Sequence, residues 1–504
     1  VSDASVHEAL RSKARLVVVE APGGCGKTYQ GALYTEDVGE QIIEGRLLIL
    51  THTHAAREVF HSRTNACRAR VEIRTIDSLL AEIAEAYRTV LGFPEDVGMW
   101  ALQNDGFLVV AEKVSLLLQA NRAIVHAVVA RNPLIICDEH QDANVHQETI
   151  ILLCQQAGAS VRIFGDPRQR IYSKGAQALL DAQRWEALKQ RADRFEVLDT
   201  PHRWENGNEA LGKWILDQRH GLWEDGTVDL RPPRPAAVKV LFAENQALRF
   251  GGYRVTPEEC KPIWTAISRS QSLLMLSYYN PTVSSLRGIF AKVLPVWEGH
   301  VRDHLHDLVT AMEKEAGSPD AVATAAVTFT QNVVTGFSNT TFANALLRDV
   351  RSGCSGKKTG KAANVRELAK CLHTQPNHVG VALFLRSLHQ LAQSDKDFAS
   401  VRLDAQREFW DAASLGNFAN PRDGLAELAR RRAAMRHTMP KKALATIHKA
   451  KGLECSDVVI IPCDQTHFKD SEEARCALYV AISRATESLT FVVSRDKPSP
   501  LLRV

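Results

Sequence analysis

Short apolar runs rich in β-branched residues recur along the chain, each closed by glycine or polar residues and set apart by longer stretches of helical period. Leu16-Val-Val-Val-Glu20, Pro133-Leu-Ile-Ile-Cys137, Val161-Arg-Ile-Phe164 and Leu273-Leu-Met-Leu-Ser277 are expected to be buried strands. The amphipathic stretch Ala101 to Ala120 and a long tract from about Gly288 to Ala434 are expected to be helical. Strands that alternate with helices and carry polar residues at their C-terminal ends imply an α/β fold, with a parallel sheet whose ligand site runs along that edge.

Three of these strand ends carry phosphate chemistry. The first runs into Ala21-Pro-Gly-Gly-Cys-Gly-Lys-Thr28, a Walker A pattern in which Ala21 replaces the first glycine. Gly23, Gly24 and Gly26, with Cys25 between them, let backbone N–H groups curl around a polyphosphate. Lys27 is placed to reach the β- and γ-phosphates and Thr28 to hold Mg²⁺. The second strand ends in Asp138-Glu139-His140-Gln141-Asp142, where Asp138 suits a Mg²⁺ ligand and Glu139 an orienting group or base for the attacking water. The third ends in Gly165-Asp166-Pro167-Arg168-Gln169-Arg170-Ile171-Tyr172, which aims Gln169 at the γ-phosphate.

Composition narrows the class further. With 504 residues, 45% of them hydrophobic and 24% charged, the chain is long enough for several domains with large cores, which excludes a disordered or fibrous protein. Lys and Arg number 62 against 58 for Asp and Glu, so a net charge of +4 leaves any nucleic-acid surface to a local groove. The ten cysteines are scattered singly, with neither a CxxC pair nor zinc spacing, so a structural metal is not expected. No apolar run approaches a membrane span and no signal-peptide pattern opens the chain, so a cytoplasmic protein without membrane association is expected.

Taken in order, these motifs resemble those of superfamily 1A helicases of the UvrD/Rep/PcrA type along nearly the whole chain. Thr51-His-Thr-His-Ala-Ala56 is similar to motif Ia and Arg74-Thr-Ile-Asp-Ser78 to the DNA-contacting motif after it. Thr200-Pro-His-Arg-Trp204 stands at motif IV, Thr446-Ile-His-Lys-Ala-Lys-Gly-Leu-Glu454 at motif V, and Leu478-Tyr-Val-Ala-Ile-Ser-Arg-Ala485 at motif VI. The resemblance implies two RecA-like parallel-sheet P-loop domains, 1A and 2A, with mainly helical insertions 1B and 2B. It places 1A at 1–79 and 129–195, 1B at 80–128, 2A at 196–287 and 435–504, and 2B at 288–434.

It also implies that Arg203 and Arg484 reach the γ-phosphate of ATP from the second domain, that Tyr29 and His202 sandwich the adenine, and that Glu454 meets the ribose. The adenine-reading Gln of the family, due near position 6 or 7, is replaced by Val6 or His7. DNA contacts carry over to His52, Thr75, Tyr172 and His448, although the Trp that usually follows the motif III Tyr is missing from Tyr172-Ser-Lys-Gly175. The basic segments Arg430 to Lys442 and Arg351 to Lys361 read either as DNA-facing or as solvated surface.

The activity so implied is an ATP- and Mg²⁺-dependent motor that binds single-stranded DNA and moves 3′ to 5′. The compact size and divergent 2B also resemble the UvrD-like subunit of Gabija anti-phage systems, which works with an OLD-family nuclease partner. In that alternative the chain senses DNA ends or nucleotides and licenses the nuclease, with weak or no unwinding. A small-molecule P-loop kinase would need neither motif V nor a second arginine-bearing domain.

Overall fold

The structure is a computed structural model that describes residues 2–39, 42, 44–51, 60, 70–103, 106–243, 246–248, 252–254, 257–290, 293–297, 303–314, 317–403, 405–434 and 440–504. The chain forms two compact units. One comprises 1–98, 107–297 and 439–504, and the other 99–106 and 298–438.

The larger unit contains two large parallel sheets. Strands β1 (Leu16–Glu20), β2 (Leu47–Thr51), β3 (Val71–Thr75), β4 (Leu134–Cys137), β5 (Ser160–Gly165) and β6 (Arg194–Val197) line up in the order β3-β2-β4-β5-β1-β6. Burial on both faces is what their continuous apolar runs require: every residue of β2 and β4 is buried, as is β1 up to Glu20. Because β4, β5 and β1 are adjacent and parallel, with Glu20 opposite Gly165 and Cys137 opposite Ile163, their C-terminal ends bring three loops to one edge.

The second sheet comprises β7 (Val238–Ala243), β8 (Leu273–Ser277), β9 (Lys442–Thr446), β10 (Cys455–Cys463) and β11 (Ala485–Ser494), in the order β9-β8-β10-β11-β7. One face packs on helices 209–224 and 472–482 through Trp204, Trp214, Leu222, Tyr479 and Phe491. The other face closes over Ile263, Ile267, Leu286 and Phe290. The 101–120 stretch, expected to be helical, is observed as helices Val97–Gln103 and Phe107–Ala120. Gly106 marks the break, and a Cβ there would lie 2.5 Å from Trp100 Cζ3.

The smaller unit is helical, with helices Asp303–Lys314, Pro319–Val333, Asn344–Arg351, Lys361–Thr374, His378–Ser394, Gln406–Ser414 and Pro421–Ala434. Its largely aliphatic core holds an aromatic cluster: Phe337 stacks on Phe342 at 5.4 Å, and Phe384 and Phe398 pack against that pair. Among the described residues no helix is long and apolar enough to cross a membrane, and no group of three or more His, Cys, Asp or Glu could hold a metal ion.

Candidate active site

β1 ends at the P-loop, and helix α2 (Lys27–Gly39) begins inside it. Gly24 and Gly26 have φ of +90° and +81°. A Cβ at Gly24 would lie 2.6 Å from Trp204 Cζ3, and one at Gly26 2.9 Å from His202 Cδ2, so close approach as well as backbone conformation demands glycine. Cys25 faces the core beneath the loop, and its N–H donates to the Pro22 carbonyl at 3.1 Å.

A cavity of about 740 Å³ opens above the loop. Among the residues that line it are Lys27, Thr28, Tyr29, Asp138, Glu139, Gln169, His202, Arg203, Glu454 and Arg484, together with Gly23, Gly24 and Gly26. Residues far apart in sequence therefore meet here, brought in by both sheets of one unit.

The acids and the lysine form a tight charge group. Lys27 is ion-paired with Glu139. Burial opposes the ammonium charge, yet Glu139, Asp138 and Asp166 raise its pKa above the ordinary lysine value. Burial likewise opposes the Glu139 carboxylate, but Lys27 and Lys451 hold its pKa well below the usual range. Asp138 is 2% exposed and burial pushes its pKa up, which the nearby Lys27 only partly offsets. Its Oδ1 accepts from the Glu139 N–H at 3.1 Å, while its buried Oδ2 has no hydrogen-bond partner. Glu139 itself has φ of +54°, a conformation that costs a non-glycine residue of order 1–3 kcal/mol and is typical of functional turns.

Two guanidinium groups face the cavity, one from the turn 202–204 after β6 and one from the turn between helix 472–482 and β11. Arg203 donates to Glu454 Oε1 at 2.7 Å and to the Ser483 carbonyl at 2.6 Å. Arg484 is 2% exposed and donates to the Val480 carbonyl, the Leu453 carbonyl and Ser483 Oγ. Burial, and then the charge of Arg203, lower its pKa to about 10. His202 is held by Glu205 at Nδ1 and by Asp3 at Nε2, the latter at 2.9 Å. Helix α1 (Ser2–Arg11) thus holds a cavity-lining residue through Asp3, while Val6 is buried in the core.

Four contributors went unrecognised in the sequence reading. Asp166, 0% exposed, accepts from Gly23 N–H at 3.2 Å, Gln169 Nε2 at 3.0 Å and Arg219 Nη2 at 2.9 Å. Arg219 also donates to Glu20, and Gly23 N–H donates to Tyr479 Oη at 2.9 Å. Lys451 donates to both oxygens of Asp142, at 2.8 and 2.6 Å, and to the Gln169 carbonyl at 2.7 Å. A carboxylate at the end of β5, like the one after β4, was the available signal for Asp166. Arg219 sits inside a helix and carries no local mark, while Tyr479 stands within the motif VI stretch, where only Arg484 was singled out.

On the other side of this network, Tyr172 is 59% exposed and its ring lies 6.2 Å from that of His448. His448 Nε2 meets the Ile171 carbonyl at 3.1 Å. Thr75 caps helix Ile76–Ala86, its Oγ1 accepting from Ser78 N–H at 3.2 Å. His52, with the rest of motif Ia after Thr51, lies outside the described residues. Of the basic segments, Arg430 and Arg431 pair with Glu427, Lys442 donates to the Ile267 carbonyl, and Lys358 pairs with Asp349.

A P-loop and an acid pair at the edge of the first sheet, faced across one cavity by two arginines, form a nucleotide-binding site of the kind that ATP-hydrolysing enzymes use. Residues 443–492 match the UvrD-like helicase C-terminal domain family, and residues 3–206 match the AAA domain family. The crystal structure of Pif1 helicase from Candida albicans aligns with 97% of this chain and 93% of its own, at 11% identity and a TM-score of 0.39. No curated protein matches the chain.

Proposed function

We propose that the chain is a single-stranded-DNA-stimulated ATPase that couples hydrolysis to 3′ to 5′ movement along the strand. The observation that carries this reading is a row of rings next to the nucleotide cavity. Tyr172 and His448 are followed by Tyr278, 6.0 Å from His448, then Tyr279, 4.7 Å from Tyr278, and His467, 5.2 Å from Tyr279. Tyr172 and Tyr279 are exposed. Proteins that hold single strands let bases stack on such rings, and the stacking tolerates any sequence. The Lys451 ammonium lies 5.1 Å from the Tyr172 ring while it grips Asp142, so one side chain touches both the ring row and the acid loop. Direction of movement is carried over from the motif resemblance.

In the hydrolytic step, the P-loop N–H groups and Lys27 bind the polyphosphate. Taking Lys27 away from Glu139 frees that carboxylate to orient water and accept its proton. The orphaned Asp138 Oδ2 and the hydroxyl of Thr28, which lines the same cavity, suit a hard divalent cation. These two residues would hold Mg²⁺, which supplies charge neutralisation at the phosphates when bound. Arg203 and Arg484 stabilise charge on the transferred phosphoryl group, Tyr29 and His202 flank the base, and Glu454 meets the ribose.

Tyr172→Ala and Tyr279→Ala are each expected to weaken binding of a labelled oligothymidylate by about 1–3 kcal/mol, read by fluorescence anisotropy, with nucleotide affinity unchanged. Unaltered oligonucleotide affinity in both variants would remove the ring row from the DNA path.

A further inference from the structure

The loop that carries Tyr172 is fastened to the helix that carries the nucleotide-facing groups of motif VI. Arg170, only 6% exposed, donates through Nη2 to Glu472 Oε1 at 2.8 Å, and its Nε donates to the Pro167 carbonyl at 2.9 Å. Five residues on, the Gly175 N–H donates to Glu473 Oε1 at 2.6 Å. Both acids lie in the first turn of helix Glu472–Ile482, capped by Ser471. Seven residues further along, and so on the same helix face as Glu472, Tyr479 Oη accepts from the P-loop Gly23 N–H. Arg484 follows directly after the helix and lines the nucleotide cavity.

The helix is thus a strut of about 10 Å between Glu472 and Tyr479, at about 1.5 Å per residue, with the Tyr172 loop on one end and the P-loop on the other. Its acids also sit at the positive end of the helix dipole, where a carboxylate is held favourably and resists displacement. A base stacked on Tyr172 shifts a loop that is pinned at two points, on either side of the ring, to the base of this strut.

We infer that Glu472 and Glu473 are positioning residues that transmit strand occupancy at Tyr172 to the P-loop and Arg484 through helix 472–482. Neither acid is among the residues that line the nucleotide cavity. Their role is to make the two sites move together, and it rests on the proposal that DNA stimulates turnover.

The test uses the full chain with Glu473→Ala, Glu472→Arg, and the exchanged pair Arg170→Glu with Glu472→Arg. ATP turnover is measured with and without oligothymidylate, alongside oligonucleotide affinity by anisotropy. For Glu473→Ala and Glu472→Arg, turnover without DNA and oligonucleotide affinity are expected to stay within about threefold of wild type. The stimulation by DNA is expected to fall by about tenfold. The exchanged pair restores the ion pair in reverse and is expected to regain most of the stimulation, which a variant harmed only in folding would not do. Stimulation equal to wild type in both single variants overturns the coupling role alone. A wild-type chain whose turnover DNA does not change overturns both the coupling role and the DNA-stimulated reading.

Discussion

Arg203→Ala is expected to lower steady-state ATP turnover by about 10³-fold or more, with nucleotide affinity altered by less than about tenfold. An arginine that meets a transferred phosphoryl group acts on charge that develops in the transition state, so its loss falls on kcat rather than on binding. The structure gives a physical reason for the pairing with Arg484. Two guanidiniums face one cavity, and the Arg484 pKa is held down by burial and then by Arg203. Among the described residues, Glu454 is the one carboxylate paired with Arg203, and its side chain is 54% exposed. A γ-phosphate brought between the arginines relieves that repulsion. Arg484→Lys is the companion variant, since Arg484 also holds the Val480 and Leu453 carbonyls and its truncation would loosen the motif VI turn. A rise in KM with unchanged kcat in Arg203→Ala would make this residue a ground-state contact only.

Glu139→Gln is expected to lower turnover by about 10²–10⁴-fold while nucleotide binding is kept. The substitution preserves shape and retains one oxygen to accept from Gln141 Nε2, which bonds the carboxylate at 2.6 Å. It removes only the negative charge and the basicity. In the present arrangement that charge is spent on Lys27, so its loss leaves the ammonium freer for phosphate and affinity is expected to hold or rise. Single-turnover hydrolysis and equilibrium titration with a fluorescent nucleotide separate the two effects. Wild-type turnover in this variant would take Glu139 out of the proton-accepting role and move the search to Asp142, which Lys451 grips on both oxygens.

Local pattern carried the parallel-sheet fold well. β1, β4 and β8 lie where continuous β-branched or aliphatic runs are closed by polar residues, as strands buried on both faces require, whereas β5 carries the buried Arg162, whose guanidinium is satisfied by the Leu10, Ser12 and Ala14 carbonyls. The P-loop and the acids after β4 could each be read at a strand end for the same reason, whereas the motif VI arginine came from the motif resemblance. What could not be read was the set of contacts joining them. Asp166 is set by Gly23, Gln169 and Arg219, which come from three separate stretches of chain. The pinning of the Tyr172 loop depends on Glu472 and Glu473, two acids that in sequence are an ordinary charged first turn. Asp3 over His202 was equally invisible, since the pair joins the first helix to motif IV. The break at Gly106 is marked in the sequence by the polar turn signal Asn104-Asp105-Gly106, across which the helical pattern was read.

The measurement closest to the central claim is steady-state ATP hydrolysis by the chain, with Glu139→Gln as control, alone and with single-stranded DNA, blunt duplex, and duplexes tailed at the 3′ or the 5′ end. The account predicts strong stimulation by single strands and by tailed duplexes, and little by blunt duplex. Turnover that is weak and indifferent to every DNA would contradict it and point instead to a nucleotide-sensing subunit that regulates a partner nuclease.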